Sequence, residues 1–271
     1  MNIIHEKINL SGMRDISFKD EDRIRRLSSI SPSQSCENSF ATIFIWSSAY
    51  NTKILDAGED CSFIYNPVDG ILHYPLGRDV SPETLSRYVD TFKDAGLLLS
   101  NYVYNVPPEW PEKFPNADRF FCMVADPADE DYIYDVSRLS SLSGAKLRKK
   151  RNHIKRFQTE HPNFHAEDMN PGNLGETWDF IKRADLNKGL ITEYQAAENA
   201  VKNFGRLGLE GLLLRDGNGE MLGASIFSRL SSDTFTIHFE KSRLDVEGAP
   251  QILVKLEADA LIKREIGRAH V

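Results

Sequence analysis

The segment 211–239 constrains the fold most strongly, because it contains three strand-like stretches in succession. The first two are the apolar runs 211–215 and 221–228, and the third is 234–239. Between the first two lies Asp-Gly-Asn-Gly at 216–219, and these residues favour the tight turn of a β-hairpin. The segment therefore predicts an antiparallel meander, against which the remainder of this half must pack.

Helical patterns flank this meander on both sides. Two precede it, at about 174–187 and 192–207, and one follows it from about Gly248. This element order is that of a GNAT-type N-acyltransferase domain: two helices, three antiparallel strands and a helix that begins at a glycine. Residues 1–130 show a looser version of this order. We therefore expect an α+β fold of tandem GNAT-like (acyl-CoA N-acyltransferase-like) domains, 1–130 and 131–264, with mixed, mostly antiparallel sheets flanked by helices.

Local signals in the first domain place a helix and further strands. Ser81 followed by Pro82 is a helix start, because serine caps the free N–H groups and proline fits the first turn. Gly96 marks the end of this helix. The apolar runs 97–100 and 120–125 then predict two strands on either side of a proline-rich connection.

The composition is that of a folded globular protein, with 41% hydrophobic and 27% charged residues. No stretch approaches the roughly 18 uncharged apolar residues that a membrane-spanning helix needs. The N-terminus lacks the charged start and apolar run of a signal peptide, so we expect a cytoplasmic protein. The cysteines Cys36, Cys61 and Cys122 are too widely spaced for a zinc site, and we expect no metal.

One segment departs from the acidic average of the chain. Residues 136–159 contain no acid, so they carry +8 while the whole chain carries −7. The cations are Arg138, Lys146, Arg148, Lys149, Lys150, Arg151, Lys155 and Arg156. A run of this kind is often a solvated helix face. Its contrast with the rest of the chain is equally typical of a surface that binds an anionic partner.

Most of these cations fall on a predicted helix that begins near residue 145. At 100° per residue, Lys150 and Arg151 fall on the apolar side of this helix, while Lys149 and Arg156 point the opposite way. An unpaired buried charge costs several kcal/mol, so Arg151 requires a partner. That partner is either an internal carboxylate such as Glu240 or the phosphate or carboxylate of a ligand.

The turn 240–249 leads from the meander into the glycine-led helix. In GNAT enzymes, backbone N–H groups at this helix start bind the pyrophosphate of acyl-CoA, and Gly248 would allow its close approach. The usual Arg/Gln-x-x-Gly-x-Gly/Ala pattern is missing, and Asp245 and Glu247 would repel a pyrophosphate, so a CoA site has weak support. Glu240, at the strand end, is a candidate general base and equally a partner for a nearby cation.

Several segments together resemble the phosphatidylglycerol lysyltransferase C-terminal domain family. The most specific is the Lys-Lys-Arg-Asn run on a helix after Tyr-x-Tyr, within 131–157. The weaker matches are CENSFATIFIWSSAY (36–50), YPLG (74–77), IHFEK (237–241) and GAPQ (248–251). The resemblance implies two GNAT-like domains with a cleft between them, in a module that transfers an amino acid from aminoacyl-tRNA to a lipid head group.

The resemblance also implies the roles of the site residues. It points to Glu240 as the catalytic residue and to Lys150, Arg151, Asn152 and Lys241 as substrate-binding residues. Gly248, from the turn before the last helix, completes the expected substrate-binding set. In this interpretation Lys150 and Arg151 hold the anionic donor or acceptor, Asn152 orients it, and Glu240 assists proton removal. Two positions depart from the family pattern, with Pro250 in place of an aromatic residue and Val254 in place of asparagine.

We therefore expect an aminoacyl- or acyltransferase that moves an activated acyl group to an amine or hydroxyl acceptor. Its donor would be aminoacyl-tRNA or acyl-CoA. Two alternatives stay open, a CoA-dependent N-acetyltransferase and a catalytically silent GNAT-like module whose basic helix docks an acidic partner. The sequence contains no signal that specifies an oligomeric state.

The last seven residues, 265–271, are expected to be a non-native tail. They back-translate to GAG ATC GGA AGA GCA CAC GTC, a common sequencing-adapter string. We therefore expect the native part of this sequence to stop near Arg264, so that the C-terminal domain is truncated. A missing final strand would leave a sheet edge exposed.

Overall fold

The computed structural model describes residues 8–33, 35–127, 130–188, 191–264 and 266–270. The chain divides into two compact units, Met1–Glu130 and Asp131–Val271. Each unit contains a six-stranded sheet with flanking helices, and each sheet is mixed and mostly antiparallel. The expected α+β architecture is therefore confirmed.

The first unit is built on a short-stranded sheet. Its helices are α1 (Glu21–Ile30), α2 (Phe40–Tyr50), α3 (Pro82–Asp94) and α4 (Trp110–Lys113). Its strands are β1 (Arg14–Asp15), β2 (Lys53–Asp56), β3 (Cys61–Asn66), β4 (Ile71–His73), β5 (Leu76–Gly77) and β6 (Val103–Tyr104). The order is β1-β2-β3-β4-β6, with β5 also paired to β3. β4 and β6 are parallel, and the other paired strands are antiparallel.

Capping residues fix the helix starts of this unit. The side chain of Ser39 accepts a hydrogen bond from the N–H of Thr42 at the start of α2. Ser81 does the same for Thr84 at the start of α3, where the sequence predicted a cap. α3 then contributes Phe92 to an apolar core against the sheet.

The strands predicted at 97–100 and 120–125 are not formed, so those two predictions were wrong. Gly96 has a φ of 69° and turns the chain out of α3. Leu99 then donates its N–H to the carbonyl of Gly70 over a long 3.4 Å, without a strand ladder. Residues 120–125 are irregular backbone from which Phe121 packs on the core. Apolar content alone does not separate a strand from a core-packed loop.

The second unit is built on longer strands. Its helices are α5 (Val136–Ser141), α6 (Arg148–Glu160), α7 (Leu174–Lys188), α8 (Ile191–Lys202) and α9 (Ala249–Lys263). Its strands are β7 (Ile133–Asp135), β8 (His165–Asp168), β9 (Glu210–Arg215), β10 (Met221–Arg229), β11 (Thr234–Ser242) and β12 (Arg268–His270). The order is β7-β12-β11-β10-β9-β8. β11 and β12 are parallel, and the other pairs are antiparallel.

The hairpin predicted at 216–219 is confirmed. The side chain of Asp216 accepts hydrogen bonds from the N–H groups of Asn218 and Glu220. Gly219 has a φ of 86°, a backbone conformation that glycine adopts without strain. β9, β10 and β11 consequently form the expected antiparallel meander.

Helix α9 packs on this meander together with α5 and α6. Leu253 of α9 lies in an apolar cluster with Phe157 of α6 and Leu214 of β9. In the register of β10 and β11, Ser225 lies directly opposite Glu240. Directly opposed residues of an antiparallel pair share a face, so the meander places these two polar side chains side by side.

The predicted tail falls partly within the described residues. Glu265 and Val271 lie outside them, while Arg268–His270 forms β12, between β7 and β11. Ala269 is buried in this strand. The non-native origin of 265–271 stays a prediction.

Candidate functional site

A cavity of about 850 Å³ opens in the second unit where β11 ends. Its wall is formed by α7, the start of β10, the chain segment 240–244 and the start of α9. The lining residues are Glu176, Phe180, Arg183, Ala184, Glu220, Met221, Glu240, Lys241, Ser242, Arg243, Leu244 and Pro250. A cavity of this size, with both apolar and ionisable groups in its wall, is the candidate functional site.

Several charged groups of the wall are compensated by neighbours. Arg215 donates from Nη1 and Nη2 to the two carboxylate oxygens of Glu176, at 2.9 and 2.8 Å. Arg243 pairs with both Glu220 and Asp245. Because bidentate and networked pairs have a fixed geometry, these residues shape the cavity rather than offer it a free charge.

Glu240 lines this cavity, and its carboxyl group is close to half-ionised at neutral pH. Its side chain reaches solvent through the cavity, but the surrounding protein removes much of the water that would stabilise its charge. This desolvation raises the pKa of Glu240 to about 7, against the opposing attraction of Lys150. A carboxyl with this pKa can both take up and release a proton near pH 7.

Lys150 supplies the positive charge that acts on Glu240. It is exposed in the first turn of α6, a helix that the buried side chains Ile154 and Phe157 hold to the unit. Its attraction favours the ionised form of Glu240. The charge of Lys150 therefore acts on Glu240, and the sequence predicted both residues for the site. Their roles stay predictions.

Arg151 has a different environment from its neighbour. Its side chain is exposed, and Nη1 donates to the carbonyl oxygens of Leu142 and Gly144 at 2.5 and 2.8 Å. Leu142 ends α5 with a φ of 48°, so the guanidinium closes the turn that connects α5 to α6. Two backbone carbonyls, rather than a carboxylate, are the partners that the structure gives Arg151. Its predicted contact with a ligand anion stays a prediction.

Asn152 and Lys241 also lie in distinct environments. Asn152 is exposed on α6 and lines a second, shallower cavity of about 330 Å³, beside Lys155 and Arg156. Lys241 lies in the wall of the larger cavity, only 6% exposed, and its Nζ donates to Glu193 of α8 at 2.5 Å. This pair ties β11 to α8, since a buried ammonium group requires such a partner.

Gly248 precedes α9 with a φ of 86°. A Cβ added there would lie 2.6 Å from the carbonyl oxygen of His153 and 2.8 Å from the Cβ of Phe157. Glycine at this position therefore allows the start of α9 to pack closely against α6. Pro250, in the first turn of α9, has no N–H to offer a phosphate.

Residues 28–265 match a family model whose description is phosphatidylglycerol lysyltransferase, C-terminal. The match includes most of both units. The chain belongs to this lysyltransferase C-terminal family. The predicted family is confirmed, and so is the tandem GNAT-like fold expected from it. No curated protein sequence matches the chain.

Solved structures share the fold of this family member. A conserved protein of unknown function from Bacteroides thetaiotaomicron is 24% identical, with a TM-score of 0.79, and the alignment covers 96% of this chain and 89% of that one. L-PGS from Bacillus licheniformis is 12% identical, with a TM-score of 0.61, over 95% of this chain and 78% of that one. Among the described helices, none combines the length and the apolar character needed to cross a bilayer.

Glu257 is a residue of this family member that the sequence reasoning missed. It lies on α9, and its Oε2 accepts a hydrogen bond from Oγ of Ser225 at 2.8 Å. Leu253 and Leu261, four residues before and after it, are both buried. An acid within an apolar stripe of helical spacing was the available signal, since acids are almost never fully buried without a partner.

Proposed function

We propose that this chain is an aminoacyl- or acyltransferase in which Glu240 is the general base. The chain belongs to a family whose description names a lysyltransferase, and this supports a transfer of an acyl or aminoacyl group. The observation that carries the assignment is the position of Glu240 in the 850 Å³ cavity, with a pKa of about 7. A base with a pKa near the working pH combines a large deprotonated fraction with useful basicity.

The reaction joins an amine or hydroxyl acceptor to the carbonyl carbon of an activated ester. The acceptor nitrogen or oxygen forms the new bond while its proton passes to the carboxylate of Glu240. The bond between the carbonyl carbon and the ester oxygen then breaks, and the leaving oxygen takes a proton back from Glu240. Lys150 provides positive charge for the oxyanion that forms between these steps.

Aminoacyl-tRNA is the donor that the surface of α6 favours. Lys149 and Lys155 are exposed there, and neither forms an ion pair with another residue in the described ranges. Arg156, by contrast, pairs with both Glu160 and Glu247. Uncompensated lysines on one helix attract a phosphate backbone and make its binding dependent on salt.

Acyl-CoA receives less support from the start of α9. The space in front of Gly248 contains the backbone of His153, and Pro250 removes one N–H from the first turn. A pyrophosphate site of the GNAT type needs free N–H groups and room at this helix start. We therefore place aminoacyl-tRNA before acyl-CoA.

A single-turnover assay tests this function. Bulk tRNA charged with radiolabelled amino acids is mixed with excess protein and with small amines or phosphatidylglycerol vesicles, and label is followed from tRNA to acceptor. Glu240→Gln keeps the shape of the side chain but removes the base, so we expect transfer to slow by about 10²–10⁴-fold. Glu59→Gln, the same change at an exposed residue of the first unit, should leave the rate unchanged.

Three outcomes separate the candidate functions. Equal rates for wild type and Glu240→Gln would overturn the role of Glu240. Release of free CoA from acetyl-CoA, with no transfer from tRNA, would favour the N-acetyltransferase. Salt-dependent tRNA binding without any transfer would favour the catalytically silent module.

A further inference from the structure

A second carboxyl group lies close to Glu240, and the proposed reaction does not use it. Glu257 is in the middle of α9 with only 5% of its surface exposed, and its Oε2 accepts the hydrogen bond from Ser225 Oγ at 2.8 Å. Ser225 is fully buried and lies directly opposite Glu240 in the ladder of β10 and β11. These three side chains form a cluster that connects the interior of the unit to the cavity.

The two carboxyl groups affect one another. Burial raises the pKa of Glu257 to about 8, and the negative charge of Glu240 adds to this rise, while the hydrogen bond from Ser225 opposes it. Two acids this close in a poorly solvated site lose their protons in two separate steps. Between those steps, the pair contains a single proton and a single negative charge.

The elements packed on α9 supply few other charges to this cluster. β11 provides Glu240, β10 provides the neutral Ser225, and α6 provides Lys150, whose charge acts on Glu240. Other charged and polar groups on these elements have partners of their own. On the helices, Lys255 and Ser140 pair with Asp259, and His153 and Arg156 pair with Glu247. On the strands, the pairs are Glu210 with Arg264, Arg215 with Glu167 and Glu176, Lys241 with Glu193, and His238 with Ser228. α7, which packs on β10 and β11, adds Arg183 to the wall of the cavity that Glu240 lines.

We propose that Glu257 is a positioning residue for Glu240, because it retains the single proton of the pair at neutral pH and so leaves Glu240 ionised as the base. This inference rests on the proposed function of Glu240. Because a neutral Glu257 does not attract Lys150, the positive charge of this lysine acts on Glu240 and on the reacting ester. Once Glu257 ionises above about pH 8, a second negative charge competes for that lysine, and transfer slows.

A titration without substrate tests the shared proton. Protein labelled with ¹³C at the glutamate side-chain carboxyls is followed by NMR from pH 5 to pH 10. In wild type we expect two resonances with midpoints near 7 and 8. Glu257→Gln should remove the upper one, and Glu240→Gln should move the Glu257 midpoint to lower pH. An unchanged Glu257 midpoint in Glu240→Gln would overturn the inference.

Two further variants keep this test interpretable if Glu257→Gln folds poorly. Ser225→Ala removes the hydrogen bond that favours the ionised carboxylate, so the Glu257 midpoint should rise. Asp259→Asn, on the same helix but bonded to Lys255 and Ser140, should leave both midpoints in place. A Glu257 resonance that titrates near 4.5 in wild type would contradict the cluster.

The transfer rate supplies a second readout, which a purely structural role would not change. Wild type should lose rate between pH 8 and pH 9, while Glu257→Gln should retain it, so the ratio of variant to wild type should rise at least threefold. A constant ratio would overturn the inference. If transfer is absent with every donor while both midpoints behave as expected, the proposed function fails and the shared proton stands.

Discussion

Replacing Gly248 with alanine tests why glycine precedes α9. An alanine in this left-handed backbone costs about 1–2 kcal/mol. Its Cβ would also lie 2.6 Å from the His153 carbonyl, and such overpacking costs a further 1–3 kcal/mol, roughly. We therefore expect Gly248→Ala to lower the free energy of unfolding of the second unit by about 2–5 kcal/mol. The first unit should keep its stability.

Gly219 offers a matched control for this change. It has the same φ of 86°, but a Cβ there would meet nothing within 4 Å, so Gly219→Ala should cost only the backbone part, about 1–2 kcal/mol. The assay is urea denaturation with hydrogen exchange measured on peptides from α6 and α9. Equal losses for the two variants would refute the packing explanation and favour a glycine kept for a ligand.

Three further perturbations follow from the same contacts. Arg151→Ala should lower the free energy of unfolding by about 1 kcal/mol in urea denaturation, because two backbone carbonyls lose their donor. Lys149→Glu combined with Lys155→Glu should weaken tRNA binding and flatten its salt dependence in filter binding. Burial raises the pKa of Glu257 from 4.5 to about 8, so its contribution to folding is present at low pH and is lost as pH rises through that window. The free energy of unfolding of Glu257→Gln, relative to that of wild type, should therefore rise by up to about 5 kcal/mol between pH 4.5 and pH 9 in urea denaturation. A difference that does not change with pH would contradict this.

Patterns with a strong local cause predicted most of the fold correctly. The turn 216–219 contains its own hydrogen-bonding side chain in Asp216, so the hairpin required no knowledge of the surrounding structure. Ser81 likewise caps its own helix. The failed strands at 97–100 and 120–125 have apolar side chains that the core accepts without a ladder. Tertiary packing, which the sequence does not display, decided those segments.

The sequence predicted those site residues whose place follows from their position on a single helix or strand. The sequence placed Lys150 on a basic helix and Glu240 at a strand end, and the charge of Lys150 lowers the pKa of Glu240 against the effect of burial. Arg151 follows Lys150 and carries the same charge, but its partners are carbonyl oxygens of the turn between α5 and α6. Helical periodicity predicts nothing about the conformation of such a turn. Glu257 was missed because its significance depends on Ser225, 32 residues away.

The pH dependence of the single-turnover transfer rate tests most directly whether Glu240 is the base. In wild type the rate should fall about tenfold per pH unit below pH 7, because protonated Glu240 takes no proton from the acceptor. Glu240→Gln should be about 10²–10⁴-fold slower and should lack this dependence. A Glu240→Gln enzyme that retains the wild-type rate and the same acidic limb would show that another group removes the proton.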